Sequence, residues 1–102
     1  MKKRFIKATR KDVIGTSFFA QITTSFYDLE KRLGPPRDLT GSGDWKTRAE
    51  WSFKTRSKKP TVITIYDYKH VVPVREVTTW HIGIKGDVTL LTNFLIEYGL
   101  CQ

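Results

Sequence analysis

Ala49-Glu50-Trp51-Ser52-Phe53-Lys54, followed after a basic turn by Val62-Ile63-Thr64-Ile65-Tyr66-Asp67-Tyr68, is the stretch whose reading decides the fold. Ala49, Trp51 and Phe53 alternate with Glu50, Ser52 and Lys54. That two-residue period belongs to a strand with one apolar and one polar side. Arg56 to Pro60 makes the turn. In the second arm Ile63 and Ile65 share one face, and Val62, Thr64, Tyr66 and Tyr68 share the other. Bulk on both faces predicts a central strand rather than an edge.

Working outward, residues 4–8 read as a short first strand and Lys11 to Gly15 as a connection. Thr16 to Thr23 is rich in strand formers and predicts a strand, with Phe18, Ala20 and Ile22 on one face and Phe19 and Gln21 on the other. At Thr24 the period changes. Phe26, Leu29 and Leu33 stand three and four apart, which is one face of a helix. Thr24 or Ser25 caps its start, and Asp28 and Glu30 come early while Lys31 and Arg32 come late, as the helix dipole favours. Gly34 and Pro35-Pro36 stop it. Arg37 to Asp44 reads as a polar loop. Its Gly41-Ser42-Gly43 lacks the glycines and the strand-then-helix setting of a phosphate loop.

Beyond the hairpin, His70 to Glu76 reads as loop and Val77 to Ile84 as a strand with Trp80, Ile82 and Ile84 on one face. A final helix opens at Gly86-Asp87, carries the stripe Leu91, Phe94, Leu95 and Tyr98, and ends at Gly99. The order β-β-α-β-β-β-α predicts an α+β fold, an antiparallel sheet of four or five strands with two helices packed on it. The chain reads as a single domain over residues 1–102, with residues 1–11 as a basic arm.

Composition narrows the function classes. The 102 residues are 39% hydrophobic and 13% aromatic, which suits a folded chain. No apolar run approaches the roughly 18 residues of a membrane span. The start, MKKRFIKATRKD, has a positive end with no apolar stretch behind it, so the expected location is the cytoplasm of a host cell. A single cysteine, Cys101, leaves no internal disulfide and no cysteine-rich zinc site. The net charge of +8 is clustered in Lys2, Lys3, Arg4, Lys7, Arg10 and Lys11, and again in Lys46, Arg48, Lys54, Arg56, Lys58 and Lys59. Such clusters suit an anionic partner.

Several motifs taken in order resemble a family of small bacteriophage and viral proteins. They are Gly15-Thr16-Ser17, Tyr27-Asp28-Leu29 with Leu33-Gly34-Pro35, Lys46 with Ala49-Glu50-Trp51, Thr64-Ile65-Tyr66-Asp67-Tyr68-Lys69 and Trp80-His81-Ile82-Gly83. The chain departs from that pattern at Ile84, where the family has a second glycine, and at Ser57-Lys58-Lys59-Pro60, where it has a glycine-containing turn. The resemblance implies a viral setting and a fold, and no particular activity.

Three constellations carry chemistry. Glu50, Asp67 and His81 lie on predicted central strands, where a histidine–carboxylate pair would serve acid–base work in a small hydrolase. Glu50 among Lys46, Arg48 and Lys69 reads as an ion pair fixing strand register. Trp45, Trp51, Tyr66, Tyr68 and Trp80 interleave with cations as in sheets that bind single strands, although Trp51 and Trp80 have the pattern of core residues. The expected site is Lys46, Arg48, Lys54, Arg56, Lys58, Lys59, Tyr66, Tyr68 and Lys69, with no catalytic residues, metal or cofactor. The leading expectation is a non-enzymatic viral binding protein that engages nucleic acid or a nucleotide-like anion, with interference in host defence as its purpose. The alternative is an interaction module docking on an acidic patch of a host protein, and the third is the hydrolase.

Overall fold

The computed structural model describes residues 4–39, 47–68 and 72–100. Its elements are β1 (Phe5–Lys7), α1 (Arg10–Val13), β2 (Ser17–Thr23), α2 (Phe26–Leu33), β3 (Arg37–Asp38), β4 (Ala49–Thr55), β5 (Val62–Tyr66), β6 (Thr79–Lys85) and α3 (Leu90–Glu97). A 3-10 turn at Val74–Glu76 lies between β5 and β6. The fold is α+β: among the described residues a six-stranded sheet, antiparallel at every pairing, runs β1-β4-β5-β6-β2, with β3 beside β4.

The deciding hairpin is β4 and β5, and β5 is the middle strand of the sheet, as its two apolar faces require. Trp51 pairs with Ile65 and Phe53 with Ile63, while Ile65 and Ile63 pair onward with Ile82 and Ile84. These side chains make one buried face with Trp80 of β6 and Phe5 of β1, and the half-buried Ala20 and Ile22 of β2 pack against it. Helices α2 and α3 cover it. Phe26, Leu29 and Leu33 enter from α2, and Leu91 and Phe94 from α3. Phe94 meets Phe5 edge-on at 5.2 Å and Phe53 at 5.4 Å between centroids.

Helix α2 is held at both ends by tryptophans of the sheet. The Trp80 indole N–H donates to the carbonyl of Thr24 at 3.0 Å, and the Trp51 indole N–H donates to that of Gly34 at 2.7 Å. Ser25 caps the helix through the N–H of Asp28, and Gly34 closes it at φ 89°, a conformation that favours glycine.

Three expectations need correction. Lys11 to Gly15 is not a plain connection, because Arg10–Val13 forms α1 behind a capping box in which Thr9 and Asp12 bond each other's backbone N–H. Arg37 to Asp44 is not loop from its start, because Arg37–Asp38 pairs with β4 as β3, whereas Phe5–Lys7 is the first strand read over residues 4–8. Phe18 does not share a face with Ala20 and Ile22. A β-bulge between Phe18 and Ala20 lets Phe18 pair with Gly83 and Ala20 with Ile82, which turns Phe18 to the opposite face.

Helix α1 docks on the face opposite the core, and three polar ties hold it there. Lys54 pairs with Asp12 at 3.0 Å, Arg10 pairs with Glu50 at 2.6 Å, and Lys85 Nζ donates to the carbonyls of Asp12 and Ile14 at 2.9 and 2.7 Å. The Asp12 carboxyl is lowered from 3.8 to about 2, first by the backbone N–H of Thr9 and then by Lys54. Its contribution to stability is therefore complete above pH 3.8 and lost as pH falls toward 2. In acid titrations followed by circular dichroism, Asp12→Asn should match the wild type at pH 2 and fall behind it as pH rises through 4. A gap of the same size at every pH would contradict this.

Candidate functional site

Alternation in the strands assembles a row of side chains across the face that α1 partly covers. Arg37 of β3 pairs with Glu50 of β4, Glu50 with Tyr66 of β5, Tyr66 with His81 of β6, and His81 with Gln21 of β2. A second row runs Ser52, Thr64, Gly83 and Phe18. A third, Lys54, Val62 and Lys85, carries two of the residues that tie α1 down. Gly83 keeps the second row low: a Cβ there would sit 2.9 Å from the Thr64 methyl and 3.5 Å from the Tyr66 ring.

Glu50 is the polar centre of this face. It is only 4% exposed, with Arg10 Nη1 on Oε2 and Arg37 Nη1 on Oε1, both at 2.6 Å. Arg37 is itself fixed, donating to the Ala8 carbonyl at 2.9 Å and to Ser52 Oγ at 3.2 Å. Arg10 is 56% exposed, so it presents its charge to solvent while paired. Two guanidiniums on one carboxylate leave the cluster with one net positive charge. Of the expected partners, Arg48 pairs with Asp67 instead, and Lys46 and Lys69 lie outside the described residues. Strand register places Arg37 opposite Glu50, and α1 brings Arg10 from above.

Beside the carboxylate lies an aromatic pad. His81 is at its middle, with ring centroids of Phe18 at 4.8 Å, Tyr68 at 5.3 Å and Tyr66 at 5.6 Å. Phe18 is 57% exposed and Tyr68 36%. Gln21 Nε2 lies 3.3 Å from His81 Nε2. The Tyr66 phenol is raised above its ordinary value, first by burial and then by Tyr68 and Glu50, so it stays protonated at neutral pH and can donate. Between α1 and β5 a cavity of about 300 Å³ is lined by Arg10, Val13, Leu39, Glu50, Thr64 and Tyr66 among others.

The expected site residues divide. Lys46 and Lys69 lie outside the described residues. Arg48 is committed to Asp67, its Nε donating to Oδ2 at 3.0 Å and its backbone N–H to Oδ1 at 2.8 Å. Lys54 holds Asp12. Arg56, Lys58 and Lys59 stand exposed at the β4–β5 turn. That turn lies at the end of the hairpin away from Tyr66 and Tyr68, with the length of β5, roughly 13 Å at the usual strand rise, in between. Tyr66 and Tyr68 do come together, at 6.4 Å. The structure thus joins the tyrosines to each other and to His81, and separates them from the basic turn.

The acid–base constellation does not assemble. Asp67 is fully buried and accepts the N–H groups of Arg48 and Ala49. Tyr66 stands between Glu50 and His81 in the row. Among the described residues no group of histidine, cysteine and carboxylate side chains could hold a metal ion. Arg10, Arg37, Phe18, Gln21 and Thr64 were not among the expected site residues. The one local signal was Thr9-x-x-Asp12, which marks α1 and hence places Arg10.

Comparison with family models, with curated proteins and with solved structures finds no match. Among the described residues no helix is long and apolar enough to cross a membrane. The functional reading therefore stands on the geometry of this face.

Proposed function

We propose that the protein is a non-enzymatic binding protein that takes nucleic acid, in single-stranded form, or a nucleotide-like anion on the polar face of its sheet. The observation that carries this reading is the pad of Phe18, Tyr66, Tyr68 and His81 beside a net-positive Arg10–Glu50–Arg37 cluster whose carboxylate is buried and whose Arg10 is exposed. Flat rings on an open sheet stack unpaired bases, and neighbouring cations neutralise phosphate. Lys58 and Lys59 at the turn extend the positive surface along the same hairpin, to be reached by a strand rather than by a single nucleotide. With the resemblance to small viral proteins, the setting proposed is that of a viral accessory protein acting against a host defence system.

Mobility shifts with labelled single- and double-stranded oligonucleotides at two salt concentrations test the reading. The single strand should bind more tightly and weaken steeply with salt. Tyr66→Ala and Tyr68→Ala should each lose about 1–3 kcal/mol of binding with the salt slope unchanged. Lys58→Ala with Lys59→Ala should lower the slope by about one unit for each phosphate contact removed. Absence of binding even at low salt overturns the proposal and turns attention to an acidic protein partner.

A further inference from the structure

We infer that the cavity between α1 and β5 reads a guanine base, an inference that rests on the nucleic-acid reading above and names the base it selects. Two groups in its lining point to a ligand. Thr64, in the middle of the central strand, is 1% exposed, and its hydroxyl is buried with no hydrogen-bond partner. A buried hydroxyl without a partner costs stability, and valine would fill the same shape without that cost. The Thr64 methyl is turned toward Gly83, where a Cβ would come within 2.9 Å of it. The second group is Glu50, whose oxygens each accept one guanidinium bond at 2.6 Å. A carboxylate oxygen accepts two, so both retain a lone pair.

The rest of the lining suits a base. Tyr66 is Glu50's cross-strand neighbour and offers a ring, Val13 and Leu39 supply apolar contact, and Arg10 supplies donors. A volume of about 300 Å³ is at the lower end of small-molecule sites, a size for one base and its sugar. The carboxylate then chooses among bases. Guanine alone presents two adjacent donors, N1–H and the N2 amine, to two carboxylate oxygens, with O6 beside them as an acceptor for Arg10. Adenine and cytosine offer one amine next to a ring lone pair. Uracil and thymine offer one N–H between two carbonyls, which a carboxylate repels. Thr64 supplies a further donor or acceptor.

The test uses the full chain, with fluorescence anisotropy on oligothymidylate strands carrying one central guanine or one central adenine, and calorimetry with GMP and AMP. The guanine strand should bind roughly ten-fold or more tightly than the adenine strand. A matching preference for GMP over AMP identifies the free nucleotide as a ligand as well, and its absence identifies the strand as the source of the base. Thr64→Val should melt at the same or a higher temperature and bind the guanine strand with a reduced preference. Glu50→Gln should lose all of it, and where that variant does not fold Thr64→Val decides. Equal affinity for the two strands in the wild type, or an undiminished preference in Thr64→Val, overturns the inference and leaves strand binding standing. No binding of any strand or nucleotide overturns both readings.

Discussion

Asp67→Ala is expected to destabilise the protein by about 3–5 kcal/mol, the range for removing one partner of a buried ion pair. Asp67 has no exposed surface. Its Oδ1 accepts the backbone N–H of Arg48 at 2.8 Å and of Ala49 at 2.9 Å, and its Oδ2 accepts Arg48 Nε at 3.0 Å. Truncation leaves two backbone donors and a guanidinium that is 21% exposed without their acceptor. The Nη2 of Arg48 already lacks a partner, so little else nearby can take over. Asp67→Asn keeps an oxygen for the backbone and sets an amide against Nε–H, and should cost less, about 2 kcal/mol. Equilibrium urea unfolding of the two variants measures both. A loss below about 1 kcal/mol for Asp67→Ala would show that this carboxylate does not hold the start of β4 to the end of β5.

Trp80→Ala should be as damaging, at about 3–5 kcal/mol, because it empties a large volume at the centre of the core. Trp80 is fully buried, with the Trp51 ring edge-on at 5.4 Å and the Phe26 ring at 6.3 Å. Its N–H bond to Thr24 is lost as well. Tyr66→Ala and Tyr68→Ala lie on the other side of the sheet, and each should cost less than Trp80→Ala while removing binding. Thermal and urea unfolding read alongside oligonucleotide binding separate the two classes. If Trp80→Ala unfolded like the wild type, the division between core tryptophans and surface tyrosines would fail.

That division was legible in the sequence. Trp51, Phe53, Ile63 and Ile65 alternate cleanly, and β5 carries bulk on both faces, so a central hairpin followed from local pattern alone. The punctuation of α2, from Ser25 to Gly34, was equally local. Helix α1 has four residues, too few to show a period, and β3 has only two. The bulge that redirects Phe18 leaves no mark in composition.

The site was harder to read for the same reason. Glu50 meets Arg37 across 13 residues of chain and Arg10 across 40; strand register makes the first pair and the docking of α1 the second. Cations adjacent in sequence are parted in space, since Arg48 turns to Asp67 and Lys54 to Asp12 while Lys58 and Lys59 remain at the turn. Charge clustering in the chain therefore overstated the basic patch. It included Arg10 without its partner and left out Arg37.

The two indole bonds to Thr24 and Gly34 bear on how the molecule opens. A short helix ordinarily frays from its ends, and amide hydrogens there exchange through small local openings. Here each end of α2 is bonded to a tryptophan buried in the sheet, so neither end can lift without disturbing the core. Helix and central strands should therefore open together, and hydrogen exchange should find the amides of α2 protected nearly as well as those of β4 and β5.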